Sequence, residues 1–397
     1  MPSYSEHEVL DTERADALRD ARREFEICNA CRYCEGFCAV FPAMMRRRDF
    51  SDGEIAYLAN LCHNCKGCFY ACQYAPPHEF GVNFPQTLAR VRADSYADHA
   101  WPRPLAALYR RNGLAVSLAT ALITALVFGL VFAVRGEAAG QVHTGPGAFY
   151  AVIPWAAMAG AAAASLGFSL LALAVGGVRF WRTTGGGPVP VGSPMAQAAH
   201  DALMLRYLGG GHGGRDGCNE VDEGFSQGRR IFHHALFYGF ALCFASTVSA
   251  WGYDTFLDWP APYPVLSLPV VLGTLGGIGM TVGVAGLFWL KLAADPAPHA
   301  RRVLGADYAL LALLFLTAVS GLLLLMLRST PAMGGLLAIH LGVVLSLFLL
   351  IPYSKMVHGL YRSLALLRDA LERRRAAAVP EPRRPRFLVT RSGRRAS

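Results

Sequence analysis

Six stretches of this chain of 397 residues are apolar for long enough to cross a bilayer, which takes about 20 residues per helix. A backbone inside hydrocarbon must satisfy its own hydrogen bonds, so these stretches restrict the chain to membrane helices. They lie at about 113–134, 150–178, 231–253, 263–290, 308–327 and 333–353, and none carries Lys or Arg away from its borders, as the cost of a mid-bilayer charge requires. With 53% hydrophobic and only 16% charged residues, against about 25% charged in ordinary soluble domains, a wholly soluble protein is excluded.

Orientation follows from the connections. Arg103, Arg110, Arg111, Arg179, Arg182, Arg206, Arg215, Arg229, Arg230, Lys291, Arg301, Arg302 and Lys355 fall on one side, against Arg135 and Arg328 on the other, so both termini are expected in the cytoplasm. The N-terminal MPSYSEHEVLDTERADALRD is polar and acidic, with no apolar run of the kind a cleavable signal needs. A net charge of +9 would suit nucleic acid, but the excess Arg flanks apolar segments or sits in the tail, where anionic lipid is the counter-charge, and no groove-reading motif is present.

The cysteines gather ahead of the spans. Cys28-x2-Cys31-x2-Cys34-x3-Cys38 recurs 34 positions later as Cys62-x2-Cys65-x2-Cys68-x3-Cys72, and Pro42 recurs as Pro76. Three closely spaced thiolates wrap one face of a cubane, while the fourth, after a wider gap, reaches the other cluster. Cys28, Cys31, Cys34 and Cys72 are therefore assigned to one [4Fe-4S] cluster, and Cys62, Cys65, Cys68 and Cys38 to the second. Two structural zinc ions are the competing reading, but zinc sites bring C-x2-C pairs together across a longer spacer. No proline directly follows either fourth cysteine, and the spacer 51–59 reads as a helix, which favours a helical ferredoxin variety. The fold class is all-α: a helical ferredoxin-type 2[4Fe-4S] domain (1–104), then a six-helix transmembrane bundle (105–362) with a cytoplasmic loop at 182–230, and a basic, largely disordered tail (363–397). The loop's GGGP and GGGHGG pieces read as linkers around a short helical stretch, and Cys218 and Cys243 are given no role.

Histidines mark the membrane half. His340 and His358, 18 residues apart, would lie on one face of a continuous last helix, about 27 Å apart along its axis. His233 and His234 enter the third span at its cytoplasmic edge. A buried imidazole needs a partner, and two helices each offering one can clamp a b-type haem. The preferred pair is His358 with His234 or His233; His340 stays open as a ligand, and His200, on the short loop helix, as a further one. A second haem would need another outer ligand, and His143 is in an external loop. The bland alternative is that these rings bond to backbone carbonyls or sit among headgroups.

ICNACRYCEGFCAVFP, LCHNCKGCFYACQYAPPHEFGVN, DALMLRYLGGGHGGRDGCNE, FHHALFYGFALCFAST and IPYSKMVHGLYR together resemble the tricarballylate and citrate utilisation protein B family, over about residues 25 to 370. That resemblance implies a bacterial inner (cytoplasmic) membrane protein that reoxidises the reduced FAD of a partner dehydrogenase, of the tricarballylate-oxidising kind. Electrons would pass through iron-sulfur clusters and haem b to the quinone pool. The spacing of His340 and His358 is also similar to that in the haem-bearing subunit of membrane nitrate reductases, over the last span alone. The chain has no flavin or nucleotide fingerprint, so substrate chemistry is expected on the partner. Two other classes are a membrane transporter with an iron-sulfur regulatory domain, disfavoured by the lack of mid-membrane acids and of an inverted repeat, and a redox sensor.

Overall fold

The computed structural model describes residues 6–109, 111–189, 192–210 and 216–378; Arg110, Arg215 and the tail expected beyond residue 378 lie outside the described residues. The described chain is helical. Five helices build the N-terminal domain: α1 (Glu6–Cys31), α2 (Val40–Met45), α3 (Asp52–Leu61), α4 (Gly67–Tyr70) and α5 (Phe84–His99). Next come α6 (Asn112–Arg135), α7 (Ala148–Val152), α8 (Trp155–Thr183), α9 (Ser193–Leu203), α10 (Gly228–Leu257), α11 (Leu268–Leu292), α12 (Arg301–Leu327), α13 (Met333–Leu350) and α14 (His358–Ala378).

Six of these, α6, α8, α10, α11, α12 and α13, are long and apolar enough to cross a membrane. On α6, Leu114, Leu118, Leu122, Leu126 and Leu130 recur every four residues as an exposed stripe, the face such a helix turns to lipid. The opposite faces pack around Val116, Met280, Val284, Leu310, Leu314 and Leu347. Helices α10 and α11 touch backbone to backbone, so that a Cβ on Gly239 would stand 2.8 Å from the Gly276 carbonyl oxygen. Small residues permit that approach, which replaces the missing hydrophobic drive between helices in lipid.

Two expectations are corrected. The last span and His358 do not share one helix: α13 stops at Leu350, Pro352 has no N–H to continue it, and Ser354 is extended (φ −111°, ψ 175°) before α14 begins at His358. The face-sharing of His340 and His358 therefore does not hold. Residues 363–378, assigned to the tail, continue α14 and are packed: Ala365 and Leu366 join the N-terminal core of Phe25, Val40, Met44, Leu58 and Leu88. Arg46 meets Asp369 at 2.6 Å, Arg47 meets Glu372 at 2.5 Å, and Arg368 lies over the Tyr57 ring. α14 thus fixes the cysteine domain to the end of the bundle.

Local signals explain the domain's helices. Ser51 and Glu54 close a capping box on α3. At α5 the Asn83 side chain accepts from the Gln86 amide, with Pro85 in the first turn, and the Glu24 carboxylate accepts from the Asn83 amide and the Thr87 hydroxyl, both at 3.0 Å. The 182–230 loop is more ordered than a linker. Beyond α9, Gly217 (φ +99°) lets its amide reach the Gly209 carbonyl, and Cys218 and Ser226 exchange backbone hydrogen bonds, folding the loop over the second cysteine segment.

Candidate cofactor sites

The two cysteine segments repeat in conformation as well as in spacing. Cys28 and Cys31 occupy the last turn of α1 and Cys62 caps α3; Arg32 and Lys66, each just after the second cysteine of its motif, are both left-handed (φ +59° and +64°). The turns fold the thiols inward. Cys28 interacts with Cys34, Cys72 and Cys31, whereas Cys38 interacts with Cys65 and Cys62, and Cys68 with Cys65, Cys62, Cys38 and Cys34. The fourth cysteine of each motif is thus drawn to the other motif. Among the described residues no three His, Cys, Asp or Glu side chains converge on a single-ion position. Cys28, Cys31, Cys34 and Cys72, together with Cys68, instead line a cavity of about 300 Å³, walled by Phe41, Tyr74, Val82 and Phe84.

Backbone amides already aim at several sulfurs: those of Val40 and Phe41 at Cys38, of Asn64 at Cys62, of Gly67 at Cys65, and of Tyr74 and Ala75 at Cys72. Such bonds set the potential of an iron-sulfur centre. Burial and then the neighbouring thiols push the Cys34 thiol up to about 12; the same causes raise Cys38 and Cys68, and burial, then Glu24, then the thiols raise Cys28. A crowd of buried thiols becomes a crowd of thiolates only with a cationic centre among them.

A buried charge cluster holds the loop against the second motif. The fully buried Lys66 ammonium meets Glu220 at 3.0 Å, Arg229 meets the same carboxylate at 2.6 Å, and the Asn219 amide donates to the Cys65 carbonyl at 3.0 Å. Burial alone would raise the Glu220 carboxyl, but Arg229 and Lys66 outweigh it and hold it at about 2. With the folded value below the ordinary 4.5, its stabilisation is full above that pH and is lost only as pH falls through about 2. Replacing Glu220 with glutamine leaves two cations without their counter-charge, and unfolding in detergent is expected to become easier by about 3–5 kcal/mol. A change within about 0.5 kcal/mol, the scatter of surface substitutions, would show that the cluster does not hold the loop.

Of the five candidate histidines, two come together. His233 on α10 and His358 at the start of α14 line one cavity of about 760 Å³, with ring centroids 6.2 Å apart and planes at 86°. The His358 Nδ1–H donates to the Lys355 carbonyl at 2.6 Å, leaving Nε2 as the free lone pair, and burial, with Arg362, keeps the ring neutral. His233 Nδ1 is buried without a hydrogen-bond partner. An orphaned imidazole, a neutral one facing it and an apolar floor of Leu236, Leu287, Leu310 and Leu314 fit a haem.

The other three lie elsewhere. His234 turns toward Tyr238 (5.7 Å), His340 bonds to the Ser320 hydroxyl at 2.9 Å, and the His200 side chain is 66% exposed beside Asp201. Arg229, Lys291 and Lys355, read from the sequence only as markers of orientation, line the histidine cavity together with Arg92 and Arg362. Asp307 bridges Lys291 and Lys355. Asn64, inside the second cysteine motif, lines the same cavity, while Arg92 and Arg362 donate to the Cys62 carbonyl at 2.5 and 3.0 Å. The second cysteine loop and the histidine cavity share a wall.

Comparison with known proteins agrees with this two-part plan. Residues 21–98 match the family model described as "Citrate utilization protein B Fer4-like domain", and residues 107–379 match "Citrate utilization protein B". A curated Escherichia coli protein, "Citrate utilization protein B", is 49% identical over 357 residues, covering 90% of this chain and 93% of the relative. No solved structure matches.

Proposed function

The chain belongs to the citrate utilization protein B family, and from that premise we propose that it is the membrane electron-transfer subunit of a flavoprotein dehydrogenase. In this reading a cytoplasmic FAD-dependent dehydrogenase, of the tricarballylate-oxidising kind, docks on the cysteine domain, and the acceptor is a quinone in the bacterial inner membrane, with both chain termini in the cytoplasm. When bound, two [4Fe-4S] clusters and one haem b supply one-electron oxidation and reduction, splitting the pair that a flavin gives up.

The chain's own residues divide the remaining work. Cys28, Cys31, Cys34 and Cys72 would hold one cluster, and Cys62, Cys65, Cys68 and Cys38 the other, with the amides of Val40, Phe41 and Asn64 donating to sulfur. His233 and His358 would hold the haem, and the Lys355 carbonyl orients the His358 ring. The leucines beneath exclude water from the site. The observation that carries this reading is the wall common to the Cys62–Cys65 loop and the cavity of the two histidines, which leaves no domain-sized gap between the two chemistries.

The test is anaerobic purification in detergent, followed by metal analysis and a redox-titrated optical spectrum. About eight non-haem irons and a low-spin b-type band are expected, both reduced by a reduced flavoprotein partner and reoxidised by a soluble quinone. Colourless, iron-free protein from a host competent in cofactor assembly would overturn the reading.

A further inference from the structure

The histidine cavity carries more positive charge than its own residues neutralise. Among the described residues, seven Arg and two Lys line it, against three Asp and one Glu. The acids are already engaged: Glu220 by Arg229 and Lys66, Asp307 by Lys291 and Lys355, Asp94 by Arg302, and Asp98 by Arg14. Arg14, Arg103, Arg111 and Arg302 are exposed to solvent, but Arg92 is buried and Arg362 half-buried, and cations so placed are costly unless an anion comes to them.

Its arrangement is specific. Arg229 precedes His233 by four residues and Arg362 follows His358 by four, so on each helix the two residues lie on the same face one turn apart, about 6 Å along the axis. Both arginines lie on the cysteine-domain side of the histidine pair, because Arg229 donates to the Asn64 carbonyl at 2.6 Å and Arg362 to that of Cys62 at 3.0 Å. Arg92 reaches the same Cys62 carbonyl from α5. These bonds fix all three guanidiniums; Glu220 already pairs with Arg229, while among the described residues no carboxylate meets Arg92 or Arg362. Arg362 Nε is buried with no partner, leaving fork geometry that suits a carboxylate.

We propose that Arg92 and Arg362, with Arg229 held beside them by Glu220, form a carboxylate-binding wall that receives the two acidic arms of the porphyrin and turns them toward the second cysteine motif. This rests on the haem reading above and adds to it which edge of the macrocycle faces the iron-sulfur domain. A free polycarboxylate shares the chemistry, so the test separates the two sources.

The full chain, prepared haem-free from a haem-deficient host, is titrated with haemin and with haemin dimethyl ester, whose arms carry no charge. Haemin is expected to bind at least about tenfold more tightly than the ester, the margin of a charge-assisted pair. Arg362→Gln is expected to remove most of that margin by weakening haemin while leaving ester affinity unchanged, and Arg362→Lys to restore part of it. The comparison of the two ligands on the unaltered chain needs no variant to fold. Equal affinities for haemin and ester, each with a bis-histidine spectrum, overturn the wall and leave the haem reading standing. Absence of any such spectrum with either ligand overturns both. Citrate that raises the melting temperature of the haem-free chain, with haemin and ester binding alike, overturns the assignment in favour of a free tricarboxylate.

Discussion

Replacing His358 with alanine is expected to abolish the low-spin b-type spectrum while leaving non-haem iron at about eight per chain, the content of two [4Fe-4S] clusters. The expectation rests on a pair geometry that no other histidine shares among the five candidates. His233 and His358 face each other at 6.2 Å across one cavity, and the Lys355 carbonyl fixes which nitrogen of His358 is free. His233→Ala is expected to act alike, each change lowering retained haem by about tenfold or more, since disturbing even an outer partner of a metal ligand costs about that much. His340→Ala and His200→Ala serve as controls, expected to keep the spectrum, because the first ring is bonded to Ser320 and the second is largely in solvent. An unchanged spectrum in His358→Ala, or a lost one in His340→Ala, would reverse the ligand assignment.

What the sequence made legible and what it concealed divide along a physical line. The six spans are local: hydropathy over some 20 residues decides each of them, and the structure moves only their ends, as where α12 begins at Arg301 to include Asp307. Helical form in the cysteine domain was legible for the same reason, through the lack of strand alternation at 51–59, where the structure adds the Ser51–Glu54 capping box. Neighbours in space were not. His233 and His234 are adjacent in the chain and about 100° apart on α10, so spacing alone could not choose between them; the choice is made by the helix face that α10 presents to α14. Lys66 and Glu220 are 154 positions apart, and no periodicity links them. Pro352 carried the signal for the break between α13 and α14, but the apolar run around it reads as one span, and the clash of proline with the preceding turn outweighs hydropathy at that point. The motifs Arg229-x3-His233 and His358-x3-Arg362 were present in the sequence, and they acquire meaning only once the two helices are seen to face each other.

Cys38→Ser carries the other large expected effect, because it distinguishes crossed from sequential ligation. If each motif held its own cluster, losing Cys38 would strip the cluster of Cys28, Cys31 and Cys34. The structure sends the Cys38 side chain the other way: its thiol neighbours are Cys65 and Cys62, and the amides of Val40 and Phe41 hold its sulfur at the start of α2. Serine keeps those amide bonds but offers a harder oxygen in place of thiolate, which iron-sulfur clusters disfavour. Non-haem iron is therefore expected to fall from about eight to about four per chain, with the surviving cluster belonging to Cys28, Cys31, Cys34 and Cys72. Cys72→Ser is expected to give the complementary loss, since Cys28 and Cys34 both have Cys72 as a near thiol. The decisive measurement is the pair of double variants read by iron content and electron paramagnetic resonance. Cys38→Ser with Cys65→Ser should lose no more iron than Cys38→Ser alone, whereas Cys38→Ser with Cys31→Ser should lose both clusters. The reverse outcome would show that each motif closes on itself, and the facing of Cys38 toward Cys62 and Cys65 would then be packing without ligation.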